Sequence, residues 1–133
     1  MSTRSHHTGR AASLVLTLAI VELTLTTAWI HLSLGGVLFT LNAIGYAALA
    51  VAMLVSTAWP IGLIGRVAWL PRLGLALYTT ATIAGYLVIG PYFPLGWIAK
   101  AVEVAILTLL VAGVALEGLP ERAEREWRVS ARL

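Results

Sequence analysis

AASLVLTLAIVELTLTTAWIHLSLGGVLFTLNAIGYAALAVAMLVST, residues 11–57, holds one acid, Glu22, and one histidine, His31, but no lysine or arginine. Gly35-Gly36 breaks it into two apolar runs, 11–34 and 37–57. Each is close to the ~20 residues with which a helix crosses about 30 Å of hydrocarbon. A glycine pair between two such runs folds them back as antiparallel neighbours.

Working outward, two more runs of this kind occupy residues 70–89 and 97–116. Together the four runs use most of the 133 residues, 59% of which are apolar and only 11% charged. A soluble domain carries about 25% charged residues, so this composition cannot cover a water-facing surface. The expected fold is all-α, an integral membrane bundle of four transmembrane helices. Residues 1–10 form a polar N-terminal arm, 11–116 the membrane domain and 117–133 a charged tail, with no room for a second domain.

The basic residues set the expected orientation, because lysine and arginine next to spans are retained in the cytoplasm. Arg4 and Arg10 precede the first span, Arg66 and Arg72 flank the passage from the second to the third, and Arg122, Arg125, Arg128 and Arg132 follow the fourth. The connections after His31 and after Ile89 have none. This predicts N-in and C-in termini in the inner (plasma) membrane, with Lys100 as the one cation on the outer side. The first run follows a basic segment, as a signal peptide would, but it is longer than an h-region and contains Glu22 and His31, so a retained helix is expected. The net charge of +3 and pI near 9.8 follow from this topology and call for no nucleic acid.

Aromatic residues mark the boundaries. Trp29 and Trp97 fall near the outer edge, Trp59 and Trp69 near the inner one, and Gly90-Pro91-Tyr92-Phe93-Pro94-Leu95-Gly96 reads as a rigid outer loop. Small residues one turn apart, Ala43, Ala47 and Ala50 in the second span and Ala81 and Gly85 in the third, predict close approach of helix backbones. In the tail, Leu119, Ala123 and Trp127 recur at spacings of four, which suits either a short interfacial helix or a solvated end.

Ionisable groups inside a bilayer are costly and usually face the bundle interior or a water-filled cavity. Glu22 lies mid-span and shares a helix face with Thr26 and Trp29. It suits a proton or cation site, or else a structural hydrogen bond to Tyr78, Thr79, Thr80 or Thr82 of the third span. His31 is about half a turn out of phase with Glu22, so the two do not form an obvious dyad. Lys100 and Glu103, three residues apart, can pair on the fourth span, with Lys100 snorkelling outward. Asn42 reads as an interhelical hydrogen-bonding group. The other reading brings His31, Asn42, Tyr86 and Glu103, one from each span, into a single polar pocket beneath the outer loop.

With no cysteine and no aspartate, thiolate metal sites, Fe–S clusters and disulfides are excluded. No second intramembrane histidine is present to complete a bis-histidine haem site, and phosphate-loop, nucleophile-elbow and zinc-protease motifs are absent. The expectation is a non-enzyme without cofactor or metal, whose surroundings are the lipid bilayer and either a homo-oligomer or a larger membrane complex.

Ile30-His31-Leu32, the run from Gly36 to Tyr46, Gly85-Tyr86, Pro94-Leu95-Gly96 and Val102-Glu103 resemble a group of small four-helix bacterial membrane proteins of unassigned function. The resemblance covers about residues 20–110, with His31, Asn42, Gly45, Tyr86 and Glu103 as the matching positions, and the chain departs from it in a shorter connection after His31. It implies the same topology and polar set, but no activity. Ala19-Ile20-Val21-Glu22 also resembles the placement of the single acid in the first helix of small multidrug-resistance carriers, although the second acid on the fourth span departs from that pattern. The sequence therefore leaves two functions open. One is an accessory or binding subunit with buried polar groups in its outer half; the other is a proton-coupled small-molecule transporter using Glu22.

Overall fold

The computed structural model describes the backbone of residues 3–130 and the side chains of residues 11–116. The helices are α1 (Thr3–Leu34), α2 (Val37–Ala58), the short α3 (Gly62–Arg66), α4 (Leu70–Ile89) and α5 (Pro94–Ser130). Four of them contain apolar stretches long enough to span a membrane: Ala11–Leu34, Val37–Ala58, Leu70–Ile89 and Pro94–Leu116. These are the four expected spans, the last beginning a turn earlier because Pro94 opens the helix.

The ends of the chain continue these helices. The backbone of the expected N-terminal arm is helical from Thr3, and α5 runs unbroken through the expected tail to Ser130. The interfacial role of Leu119, Ala123 and Trp127 concerns side chains outside the described residues. The connection between α2 and α4 contains the helical turn α3 rather than loop alone.

α1 packs on α2 and α5, and α4 on the same two helices, so the bundle is a square in which α1 and α4 lie across a diagonal. The tight corner between α1 and α2 depends on Gly35 and Gly36, whose φ values of 70° and 86° suit residues without a Cβ. The centre is built from Ile20, Val21, Ala28, Tyr46, Ala50, Met53, Leu75, Ile106 and Leu110. Serine and threonine hydroxyls do not interrupt the spans, because many bond back to a carbonyl of the preceding turn, as Thr24 does to Ile20 and Thr108 to Val104.

The expected small-residue contacts divide. Ala43 and Ala50 are buried at helix contacts, as expected. Ala81 and Gly85, by contrast, line a cavity, and a Cβ at Gly85 would meet nothing within 4 Å. Here the small residues make space instead of closing it.

Gly45 has a steric role of its own. A Cβ there would lie 2.3 Å from the Tyr78 hydroxyl, so glycine lets the Tyr78 ring cross the α2 backbone and donate to Asn42 Oδ1 at 3.1 Å. Gly45→Ala is expected to push the ring aside and cost about 1–3 kcal/mol, as overpacking does. The check is the unfolding midpoint in mixed micelles, and a wild-type value would show that α4 absorbs the methyl group freely.

Candidate functional site

Helical spacing prepares the site one helix at a time. On α1, Thr27 and His31 are one turn apart and face inward. On α2 the same spacing joins Asn42 to Tyr46, on α4 it joins Tyr78, Thr82 and Tyr86, and on α5 Lys100 and Glu103 are three apart. Square packing then turns these faces toward one another in the half of the bundle that holds the α1–α2 corner and the α4–α5 connection.

Glu103 is the hub. It is completely buried, and its Oε2 accepts from Lys100 Nζ at 2.5 Å, with Thr82 Oγ1 3.1 Å away. Lys100 also donates to the Thr82 carbonyl at 3.3 Å, and its ammonium lies 5.4 Å from the centre of the Tyr86 ring. The lysine expected to snorkel outward instead turns inward and is buried. The reason is electrostatic: in a medium with no water to solvate the carboxylate, an adjacent cation with good hydrogen bonds is its best compensation.

Proton bookkeeping orders the hydroxyls. The single Thr82 proton goes either to Glu103 or to the Thr79 carbonyl, 2.9 Å away. Tyr46, whose hydroxyl is 2.6 Å from Thr82 Oγ1, therefore donates to it. With the Thr82 proton on Glu103, this makes a chain from Tyr46 through Thr82 to the carboxylate.

His31 reaches the hub from α1. Its Nδ1 donates to the Thr27 carbonyl at 2.8 Å, which turns Nε2 toward Glu103 Oε1 at 3.6 Å. That oxygen is buried and has no hydrogen-bond partner among the described residues. At 3.6 Å the two atoms are just beyond hydrogen-bond length, so a small shift of the ring toward α5 would be needed to join them. The imidazole is steadied by aromatic rings, with centroids 5.6 Å away at Tyr46 and 6.2 Å at Phe39.

Beside this cluster lies a cavity of about 340 Å³ between α2 and α4, roofed by the α4–α5 connection at Gly90, Pro91 and Phe93. Phe39, Tyr86 and Phe93 contribute aromatic walls, and His31, Asn42 and Lys100 contribute polar ones. The roof is tied to Tyr86, which donates to the Phe93 carbonyl at 3.4 Å and meets the Tyr92, Phe93 and Trp97 rings edge-on. Asn42 Oδ1 is occupied by Tyr78, which leaves the amide Nδ2 as the donor on the cavity wall.

Comparisons with family models, with curated proteins and with solved structures found no match.

The structure thus brings together four of the five residues singled out in the sequence: His31, Asn42, Tyr86 and Glu103. Glu22 stands apart. It is exposed on the outward face of α1, and its side chain has no hydrogen bond or ion pair among the described residues. Of the hydroxyls proposed to receive it, Tyr78 bonds to Asn42, Thr80 to the Ala76 carbonyl and Thr82 to Glu103. Thr79 Oγ1 has no hydrogen-bond partner among the described residues but is buried inside the bundle, away from the outward face that carries Glu22. Sequence reasoning missed Tyr46 and the inward turn of Lys100, and it offered Thr82 to Glu22 where the structure pairs it with Glu103. The spacing of four that links Asn42 to Tyr46 and Thr82 to Tyr86 was the available signal for Tyr46 and Thr82. Among the described residues no three metal-ligating side chains converge.

Proposed function

We propose that this chain is a small binding subunit of the plasma membrane, a non-enzyme that holds an uncharged amphiphilic molecule in the outer-half cavity. The observation that carries the reading is the cavity itself. It has largely apolar walls and the size of a small-molecule site, and one side is bordered by a buried, prearranged hydrogen-bonding cluster. Lys100 and Glu103 compensate one another, so the cluster favours a neutral guest over an ion. Asn42 Nδ2 and the remaining Lys100 proton suit an acceptor such as a carbonyl, and Phe39, Tyr86 and Phe93 suit a flat apolar body.

The cavity lies between two membrane-spanning helices, with exposed Leu38 and Ile89 among its lining residues, so the guest reaches it from the outer leaflet. The arginines at the opposite end, with Arg66 and Arg72 beside α3, support cytoplasmic termini. A carrier mechanism through Glu22 finds no support in this cavity, because that carboxyl lies on the far side of α1.

The test is a titration of the purified protein in bicelles with menadione, a neutral aromatic diketone, followed by quenching of tryptophan fluorescence. Saturable quenching is expected in wild type. It should disappear in Gly85→Phe, which fills the cavity from a position with open space, and should weaken at least about tenfold in Asn42→Leu, which removes the Nδ2 donor facing the guest, equivalent to the loss of a hydrogen-bonded contact with its desolvation. Non-saturable quenching that is identical in all three proteins would overturn the reading.

A further inference from the structure

The outward stripe of α1 runs Val15, Leu18, Glu22, Leu25, Trp29, Leu32, with alternating spacings of three and four, and every one of these residues is exposed. Its opposite face, with Ile20, Val21, Thr24, Thr27, Ala28 and His31, is buried in the bundle. Glu22 is therefore at the centre of the lipid-facing stripe, where it cannot bend round to a neighbouring helix of its own bundle.

Its depth is equally awkward. Within the span Ala11–Leu34 it is central, about 10 Å along the axis from Trp29 and about 18 Å from Arg10 at 1.5 Å per residue. A glutamate side chain is too short to reach water from there. The outward stripes of the other three spans are built from residues such as Ile44 and Val51, Leu77 and Val88, and Val104 and Val111. Among the described residues Glu22 is the one acid on the lipid-facing surface, and an unpaired polar group in hydrocarbon demands a partner.

A second copy supplies one at the right height. An even number of spans and the clustering of arginines at one end fix a common orientation for all copies, so two α1 helices can meet only in parallel. A two-fold axis along the membrane normal then places each Glu22 opposite its counterpart. A carboxyl is self-complementary, since the protonated form donates to the oxygen of the other. The alternation of three and four is also the spacing along which two helices pack as a left-handed pair, and a polar residue at one such position fixes register and number of strands.

We infer that this chain forms a parallel two-fold dimer through the outward face of α1, with the two Glu22 carboxyls hydrogen-bonded to each other at the centre of the bilayer. The interface is separate from the cavity between α2 and α4, and its existence does not depend on what that cavity binds.

Because the chain has no cysteine, single-cysteine variants test the inference cleanly. Leu18→Cys and Leu25→Cys report on the stripe, and Val51→Cys and Val104→Cys on outward faces of α2 and α5. Reconstituted at low protein-to-lipid ratio and oxidised with copper phenanthroline, the first two should form covalent dimers and the other two should stay monomeric, since a disulfide requires Cα atoms within about 7 Å. Adding Glu22→Leu to Leu25→Cys should lower the dimer yield about tenfold, as loss of an interhelical hydrogen bond in lipid can. Glu22→Gln, which keeps a donor and an acceptor, should restore it. Circular dichroism checks that each variant is helical. Equal cross-linking at all four positions, no cross-linking on the stripe, or a yield indifferent to Glu22→Leu would overturn the dimer.

Discussion

Glu103→Gln is expected to lower the unfolding free energy by about 3–5 kcal/mol, the cost of removing one member of a buried ion pair. The variant leaves the Lys100 ammonium buried without a counter-charge, its neighbours reduced to the Thr82 carbonyl, the Tyr86 ring and the neutral amide of the new side chain. It also takes the carboxylate away from His31 and Thr82, the groups through which α1 and α4 meet α5 at this point. Lys100→Met removes the cation instead, and the double variant Lys100→Met/Glu103→Gln should recover most of the loss because neither charge is then buried alone. Unfolding by sodium dodecyl sulfate in mixed micelles measures all four proteins. If the effects of the two single substitutions simply add in the double variant, the pair is not a coupled unit and Glu103 is not the hub described above.

The second large effect is expected at Tyr46, which is completely buried and touches His31, Tyr78 and Thr82 at once. Tyr46→Ala should cost about 3–5 kcal/mol, the usual penalty for emptying an aromatic site in a packed interior. Tyr46→Phe keeps the ring and removes only the hydrogen bond to Thr82, a loss of about 1 kcal/mol. The ratio between the two carries the information. Packing is the main force between helices in lipid, since the tails are as apolar as the side chains and there is no hydrophobic drive to associate. If Tyr46→Phe were as damaging as Tyr46→Ala, the hydrogen-bonded chain would outweigh packing at this position.

These two residues also show how differently parts of the site could be read in advance. Glu103 stands out in the sequence because an acid within an apolar run is costly wherever it points. Tyr46 does not, because a tyrosine in an apolar run is unremarkable until its neighbours are known. Lys100 could be paired with Glu103 from their spacing of three, but its direction could not be derived. A long side chain near a helix end can turn outward to the interface or inward to a carboxylate, and the choice depends on whether Thr82 and Tyr86 are there to receive it.

Glu22 and Glu103 make the same point on opposite sides of the bundle. Both are acids within spans, yet one is exposed to lipid and the other fully enclosed. The sequence by itself determined the number of spans, their limits and the turns at Gly35-Gly36 and the outer loop, because hydrocarbon thickness and backbone hydrogen bonding permit little else. It also determined which residues share a face within each helix. Only the tertiary structure decided which face of each helix turns inward. In a soluble bundle an apolar stripe announces that face, whereas here both lipid and interior are apolar, and the rotation of each helix is settled by packing and by the few polar groups that find one another.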